Sequence, residues 1–274
     1  MTRGATTTMQ QPGAAPPRRS FAQRFLRLYL AGLLGIAALP LAIVPLLRLN
    51  AADLSMRAPL LTVLSLVQPA ILLAAAVALG CTLAHKLQLK SLLASAPTLA
   101  LAWQQLRPYL PQALLLGAGA GAVVMLADLL VFRLLLPSPW FEKAAAAQPG
   151  ALSGLVVGVL YGGITEELLL RWGLMTLIAW ALWKTFRRRH VLPGNAVMLA
   201  AITLAALLFA AGHLPAAAQI QPLDAVIVTR VLLLNFISGV VFGWLYWRWS
   251  LEAAMVAHAG AHLAFFVTRI SGLA

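Results

Sequence analysis

Acidic side chains are scarce in this chain, which has only 7 Asp and Glu residues against 20 Lys and Arg residues in 274. Charged residues of either sign make up 10% of the sequence, and hydrophobic residues make up 62%. A soluble domain averages about 25% charged and about 45–50% apolar residues. So little charge cannot cover a water-soluble globule of this size. The composition therefore predicts an integral membrane protein.

Cysteine is also scarce, and the first twenty residues contain almost no large apolar side chains. The single cysteine, Cys81, excludes an internal disulfide and lies in an apolar run, where a lone thiol is typical of inert packing. Residues 1–20 are rich in Thr, Pro and Gly and predict a disordered cytoplasmic tail. A cleaved signal peptide is not expected, because the following apolar run is too long and further spans come after it.

The net charge of +13 has two interpretations, nucleic-acid binding or the Lys/Arg excess of cytoplasmic loops in membrane proteins. The basic residues lie at the N-terminus and in short gaps between apolar runs. This placement predicts contacts with the lipid bilayer, including anionic lipids at cytoplasmic basic loops, and no nucleic-acid partner. It also predicts a cytoplasmic N-terminus.

Apolar runs long enough to cross a bilayer, which needs roughly 20 residues, recur along the chain. The predicted fold is an all-α, polytopic transmembrane helical bundle of about seven, possibly eight, spans. The run at 150–182 is too long for one straight crossing, so it tilts, kinks near Gly162 and Gly163, or contains a second short helix. Residues 91–108 are of mixed polarity and predict an interfacial segment. The runs are at about 24–47, 59–84, 112–136, 150–182, 196–214, 227–247 and 251–270.

Three acids, Asp128, Glu166 and Glu167, lie at membrane depth, where an ionised group costs roughly 2.5–3.5 kcal/mol. For Asp128 we favour a structural role with Arg133, five residues later, as the compensating charge. Glu167 and Arg171 are four apart and are expected to pair on one helical face.

Glu166 has no such local partner, which makes it a candidate general acid or base. A structural ion-pair cluster is the alternative. Near the C-terminus, Ser250 is a plausible N-cap, and Glu252 is interpreted as an acid at the positive end of the same helix.

Three histidines fall in late apolar runs. His213 ends the segment FAAGH, and His258 and His262 stand four residues apart in HAGAH. Two imidazoles at this spacing can converge on one ion or one substrate. Gly150, Gly154, Gly158 and Gly162 also recur every four residues, and we interpret them as a helix-packing strip without a chemical role.

The order of these motifs resembles the CPBP family, which comprises type II CAAX prenyl proteases and the bacteriocin-processing or immunity proteins called Abi. The matching segments are an EExxxR motif, an FxxxH motif, and a histidine followed four residues later by a polar residue. They occur here as Glu166–Arg171, Phe209–His213 and His258–His262. They lie within a predicted catalytic transmembrane core at 149–270. The N-terminal helices and the interfacial segment at 21–148 precede this core.

The resemblance implies an intramembrane endopeptidase acting on a membrane-associated protein or peptide. It implies that Glu166 activates water with help from His213, and that Glu167 and Arg171 belong to the catalytic set. His258 and the residue at 262 would stabilise the oxyanion or hold a metal.

The family commonly has asparagine where this chain has His262. Histidine can donate a hydrogen bond or coordinate a metal, so the substitution favours Zn²⁺ or another divalent ion held by His213, His258 and His262. Three alternatives stay open: a metal-free mechanism, a non-catalytic immunity or scaffold protein of the same fold, and a small ion- or proton-coupled transporter. The Ala-, Leu- and Arg-rich composition predicts a bacterial inner membrane location.

Overall fold

The computed structural model describes residues 19–50, 58–186 and 191–272, and within these ranges the chain is helical with no strand. Almost the whole of the predicted tail at 1–20 lies outside the described residues. The α-helices are α1 (Phe21–Ala38), α2 (Pro40–Asn50), α3 (Ala58–Leu83), α4 (Leu92–Ser95), α5 (Leu99–Leu106), α6 (Leu110–Ala127), α7 (Arg133–Leu135), α8 (Ser138–Ala147), α9 (Ala151–Val157), α10 (Thr176–Phe186), α11 (Asn195–Gly212), α12 (Leu214–Ala218), α13 (Ala225–Arg248) and α14 (Leu251–Ile270).

Seven helical stretches in the described residues are long and apolar enough to cross a membrane, which confirms the predicted all-α polytopic bundle. We number these stretches as spans in chain order. The spans are Phe21–Pro45, Leu60–Leu87, Leu99–Leu135, Ala151–Phe186, Asn195–Ala218, Ala225–Arg248 and Leu251–Ile270.

The overlong run at 150–182 forms one continuous fourth span rather than two crossings. Between α9 and α10 its hydrogen bonding is of the π type over Gly158–Glu166 and Leu168–Met175. These wider turns take up extra residues without breaking the helix, and π-helical turns are frequent at functional sites. At about 1.5 Å per residue, 36 residues exceed a hydrocarbon core of about 30 Å, so this span tilts or extends beyond it.

Small residues let the third and seventh spans approach backbone to backbone. A Cβ added at Gly117 would lie 1.8 Å from the carbonyl oxygen of Ala257, and one at Gly260 would lie 2.9 Å from that of Leu114. Membrane helices without a hydrophobic driving force between them associate through such close packing. This contact fixes the seventh span just beside His258.

Polar contacts gather the connecting segments on the side of the bundle where the first span begins, which we call the amino-terminal face. The carboxylate of Glu252 is 9% exposed. It accepts hydrogen bonds from the Ser91 hydroxyl (2.6 Å) and from the backbone N–H groups of Leu92 (2.8 Å) and Leu93 (3.0 Å). Ser250 caps α14 as predicted, by accepting from Ala253 N at 3.2 Å. Glu252 lies in the first turn of α14, as predicted, and its carboxylate also binds the N-terminus of α4, a contact that the sequence did not indicate.

On the opposite face, Asp128 is paired with Arg230 of the sixth span. Two hydrogen bonds of 2.6 Å join the guanidinium to the two carboxylate oxygens, and Arg230 also lies 4.5 Å over the ring of Trp140. The expected partner Arg133 instead lies 5.8 Å from the ring centre of Phe141. The prediction of a local pair was wrong because a neighbouring span supplies a guanidinium in ideal fork geometry.

Candidate active site

The fourth and seventh spans bring four polar side chains together, Glu166, Glu167, Arg171 and His258, which we call the central polar cluster. Arg171 and Glu167 are 2% and 0% exposed, and Arg171 Nε lies 3.3 Å from Glu167 Oε2. The predicted pairing of these two residues is confirmed. Arg171 Nη2 also donates to the carbonyl oxygen of Gly239 at 3.0 Å. The cation is therefore held from two helices.

Aromatic rings enclose the cluster. The guanidinium of Arg171 lies 5.1 Å from the ring centre of Phe209 and 5.6 Å from that of Phe242. The imidazole of His258 stacks on Phe242 with ring centres 4.5 Å apart. A cation between aromatic faces gains cation–π attraction that grows when water is excluded. Phe209 is the first residue of the FxxxH segment, so this motif supplies a wall of the site as well as a histidine.

The adjacent glutamates have different surroundings. Glu167 Oε1 accepts a hydrogen bond from His258 Nδ1 at 2.8 Å. The side chain of Glu166 is 17% exposed, and its Oε2 lies 3.8 Å from His258 Nε2. Because 3.8 Å is too long for a hydrogen bond, Glu166 accepts none from the residues that the structure describes. Glu167 is thus held in place, while Glu166 is available to another partner.

The protonation pattern of His258 follows from these contacts. A carboxylate accepts only, so Nδ1 must carry the hydrogen in the bond to Glu167. A neutral imidazole has one N–H, which leaves a lone pair on Nε2 facing Glu166. Two acceptors therefore face each other across 3.8 Å. A donor such as a water molecule would satisfy both.

His262 stacks on His258, with ring centres 5.1 Å apart and planes 11° from parallel. Its neighbours on the fourth span are glycines: a Cβ at Gly158 would lie 2.3 Å from His262 Cγ, and one at Gly162 would lie 2.9 Å from His262 Nε2. These glycines pack closely, as predicted. The surface that they meet is the histidine pair of the seventh span, so this close packing also borders the candidate site.

His213 lies at the edge of the site, at the end of α11. Its Nδ1 donates to the carbonyl oxygen of Phe209 at 2.9 Å, and its ring meets that of Phe209 edge to face at 4.7 Å. The same Phe209 ring lies between it and the cluster, with its centre 6.3 Å from that of His258. In the neutral ring, Nε2 keeps its lone pair. The structure thus places five of the six predicted site residues in contact and the sixth beside them.

The predicted metal ligands do not form a coordination group. In the part of the chain that the structure describes, no three His, Cys, Asp or Glu side chains gather in a way that would hold a metal ion. Zinc needs three or four ligand atoms at about 2.0–2.2 Å, and His258 Nδ1 is already bonded to Glu167. The donor set in this geometry does not fit zinc, and zinc binding stays a prediction.

Some residues of the site were not predicted from the sequence. The Gly239 carbonyl and the ring of Phe242 come from the sixth span, to which no role was assigned. Gly239 and Gly243 repeat the four-residue spacing of the fourth span, and that repeat was the available signal.

Comparison with known proteins gives one match, to the family model described as Type II CAAX prenyl endopeptidase Rce1-like, over residues 148–264. The matched segment begins just before the fourth span, ends within the seventh, and contains all six predicted site residues. It confirms the resemblance inferred from the three motifs. Among curated proteins and among solved structures, nothing matches.

Proposed function

We propose that this chain hydrolyses a peptide bond of a membrane-associated protein or peptide through a glutamate-activated water, because residues 148–264 match the family model described as Type II CAAX prenyl endopeptidase Rce1-like. The carrying observation is the gap between Glu166 and His258. Two acceptors face each other across 3.8 Å at the centre of a membrane bundle. A water molecule seated there donates one hydrogen to each.

In the proposed reaction Glu166 is the general base. It takes one proton from the water while the water oxygen bonds to the scissile carbonyl carbon, and the carbonyl oxygen becomes an oxyanion. When the tetrahedral intermediate collapses, the C–N bond breaks and the proton on Glu166 passes to the leaving amine. The products are a carboxylic acid and an amine, and Glu166 returns to its starting form.

Glu167 and Arg171 act through His258. The bond from Nδ1 to Glu167 fixes the ring orientation and keeps the lone pair of Nε2 towards the water. Arg171 balances the charge of Glu167, so the remaining negative charge of the cluster belongs to Glu166. These two residues are therefore positioning residues.

The hydrogen bonds of the three histidines support His262 as the oxyanion donor. His258 and His213 each use their one neutral N–H, on Glu167 and on the Phe209 carbonyl. His262 makes no hydrogen bond within the described residues, so its N–H is available to a developing oxyanion. A histidine at this position supplies the same donor function as the asparagine commonly found there. His213, with its lone pair on Nε2, accepts from the substrate N–H.

The decisive experiment compares Glu166→Gln with Glu142→Gln, a matched change of an exposed glutamate in α8. Peptides released from membranes containing each variant are measured against wild type. General base catalysis contributes roughly 10²–10⁴-fold, so Glu166→Gln should lose the released peptides and Glu142→Gln should keep them. Wild-type processing by an inserted Glu166→Gln protein would contradict the proposal and favour a non-catalytic scaffold.

Metal dependence needs its own experiment, because zinc held by His213, His258 and His262 is the other candidate mechanism. Metal content of the purified protein is measured before and after chelation, together with activity. The metal-free mechanism predicts full activity in a preparation without metal. Loss of activity on chelation with rescue by Zn²⁺, and no rescue in His262→Ala, would support the zinc alternative.

We also propose that the amino-terminal face lies in the cytoplasm of a bacterial inner membrane. This face carries most of the basic residues in the described part of the chain, among them Lys86, Lys90, Arg107, Lys184 and Arg248, which is the bias of cytoplasmic loops. Reporter fusions after Lys90 and after Lys143 should report opposite sides. The reverse assignment would contradict the orientation.

A further inference from the structure

A second site lies outside the catalytic region, at the beginning of the third span. An open pocket of about 450 Å³ is lined by Trp103, Gln104, Arg107 and Pro108. These residues belong to α5 and to the 3₁₀ turn Arg107–Tyr109 that joins α5 to α6. None of them belongs to the central polar cluster or contacts it.

Helix α5 is well formed although none of its residues is buried against the protein. Thr98 caps its N-terminus by accepting from Leu101 N at 3.2 Å. Its apolar side chains face outwards, with Leu99 67% and Trp103 55% exposed. Exposed apolar side chains of this size need a cover. In a membrane protein that cover is lipid.

The polar groups of the pocket have no partner within the described part of the protein. Arg107 and Gln104 are exposed, and neither makes a hydrogen bond or ion pair with another described residue. Of the described acids, only Glu252 lies on the amino-terminal face, and its two oxygens already accept three hydrogen bonds. No described acid is therefore placed to pair with Arg107, and its guanidinium is open to an anion from outside the protein.

Aromatic side chains continue around this part of the amino-terminal face. Tyr109 and Trp249 lie with ring centres 5.2 Å apart, and Arg248 lies 5.1 Å over the ring of Trp247. Trp and Tyr beside basic residues are typical of the level of lipid headgroups. The pocket thus opens where phosphate groups of the bilayer are concentrated.

We propose that this pocket binds the headgroup of an anionic phospholipid. The guanidinium of Arg107 and the amide of Gln104 donate to the phosphate oxygens, since Arg matches phosphate in fork geometry. Trp103 and Leu99 lie against the glycerol and the upper acyl chain. The acyl chain of the lipid covers the exposed apolar side chains of α5, and its phosphate supplies a negative charge to Arg107.

Native mass spectrometry of the full purified chain tests the site with phosphatidylglycerol and phosphatidylcholine as probes. Wild type should retain phosphatidylglycerol several-fold more than phosphatidylcholine. Arg107→Gln and Trp103→Ala should each lower retained phosphatidylglycerol by about tenfold, whereas Lys143→Gln, a basic residue of the opposite face, should not. A thermal unfolding curve identical to that of wild type shows that each variant is folded.

Three results would overturn the proposal. The first is wild-type retention by Arg107→Gln. The second is equal retention of the two lipids, which would mean that the surface is merely apolar. The third is displacement of phosphatidylglycerol by inorganic phosphate at equal concentration, which would assign the pocket to a free anion. Because binding rather than hydrolysis is measured, the outcome does not depend on the proposed enzymatic function.

Discussion

Replacing Glu252 by alanine should destabilise the protein, although this residue is far in sequence from every group it binds. Its carboxylate accepts from Ser91, Leu92 and Leu93, about 160 residues away along the chain. Hydrogen bonds to a charged group contribute about 1.5–3 kcal/mol each, and they are not additive. With the carboxylate gone, the buried N–H of Leu92 loses its acceptor. The free energy of unfolding should therefore fall by about 3–5 kcal/mol.

The assay is reversible unfolding in mixed detergent micelles, combined with hydrogen exchange of the amides of Leu92 and Leu93. Ser91→Ala removes one of the three bonds to Glu252 and also the N-cap bond that Ser91 accepts from Ala94 N at 3.1 Å, so it should cost about 2 kcal/mol. The double variant with Glu252→Ala should cost less than the sum, because the two residues share one bond. Glu142→Ala is the control with no expected effect.

The reasoning would be refuted if Glu252→Ala unfolded within about 0.5 kcal/mol of wild type, the range of ordinary surface substitutions. Unchanged protection of the Leu92 and Leu93 amides would refute it as well. Either result would mean that α4 does not need the seventh span as its N-terminal cap.

Two further predictions concern other parts of the bundle. Asp128→Asn leaves the guanidinium of Arg230 unpaired and should lower the free energy of unfolding in detergent by about 1–3 kcal/mol. Adding Arg230→Gln should recover part of this loss, because the unpaired charge is then removed. Gly158→Ala places a methyl group against His262 and should abolish peptide release without preventing insertion. Gly150→Ala, where a Cβ meets nothing within 4 Å, should release peptides at the wild-type level, and an active Gly158→Ala protein would contradict the geometry.

The spans were predictable because their signal is local. A run of about 20 apolar residues is visible in the sequence without knowledge of any contact, and seven such runs became seven spans. The pairing of Glu167 with Arg171 was predictable for the same reason, since residues four apart on a helix are neighbours. The continuous course of the fourth span was one of several options, because no sequence rule distinguishes π-type turns from a kink.

Partners from distant spans were not predictable. The sequence offered Arg133 as the partner of Asp128, which was wrong, and it placed Glu252 in the first turn of α14 without indicating its contacts to α4. The partners used, Arg230 and the amides at the start of α4, depend on which spans pack together. A polar group at membrane depth signals that it needs a partner, but the tertiary packing decides which one it finds.

Glycines show the same limit. Four glycines of the fourth span share one spacing in the sequence, yet the surroundings of Gly150 and Gly154 differ from those of Gly158 and Gly162. Gly150 faces open space, and Gly154 lies 3.7 Å from the ring of Pro149. Gly158 and Gly162 face the histidine pair, where only a hydrogen leaves room for the two imidazoles. The spacing predicts a smooth strip, and only the neighbouring helix decides whether that strip serves packing or chemistry.

The scarcity of acids gives the assignment of Glu166 its force. Every other described acid either has a partner or is exposed. Asp128 binds Arg230, and Glu167 binds Arg171 and His258. Glu252 binds the N-terminus of α4, Asp224 caps α13 through Ile227 N, and Glu142 is exposed. Glu166 alone is largely enclosed and accepts no hydrogen bond from the described residues. A carboxylate without a hydrogen-bond donor at membrane depth is energetically unfavourable, and a bound water or substrate would offset this by donating to it.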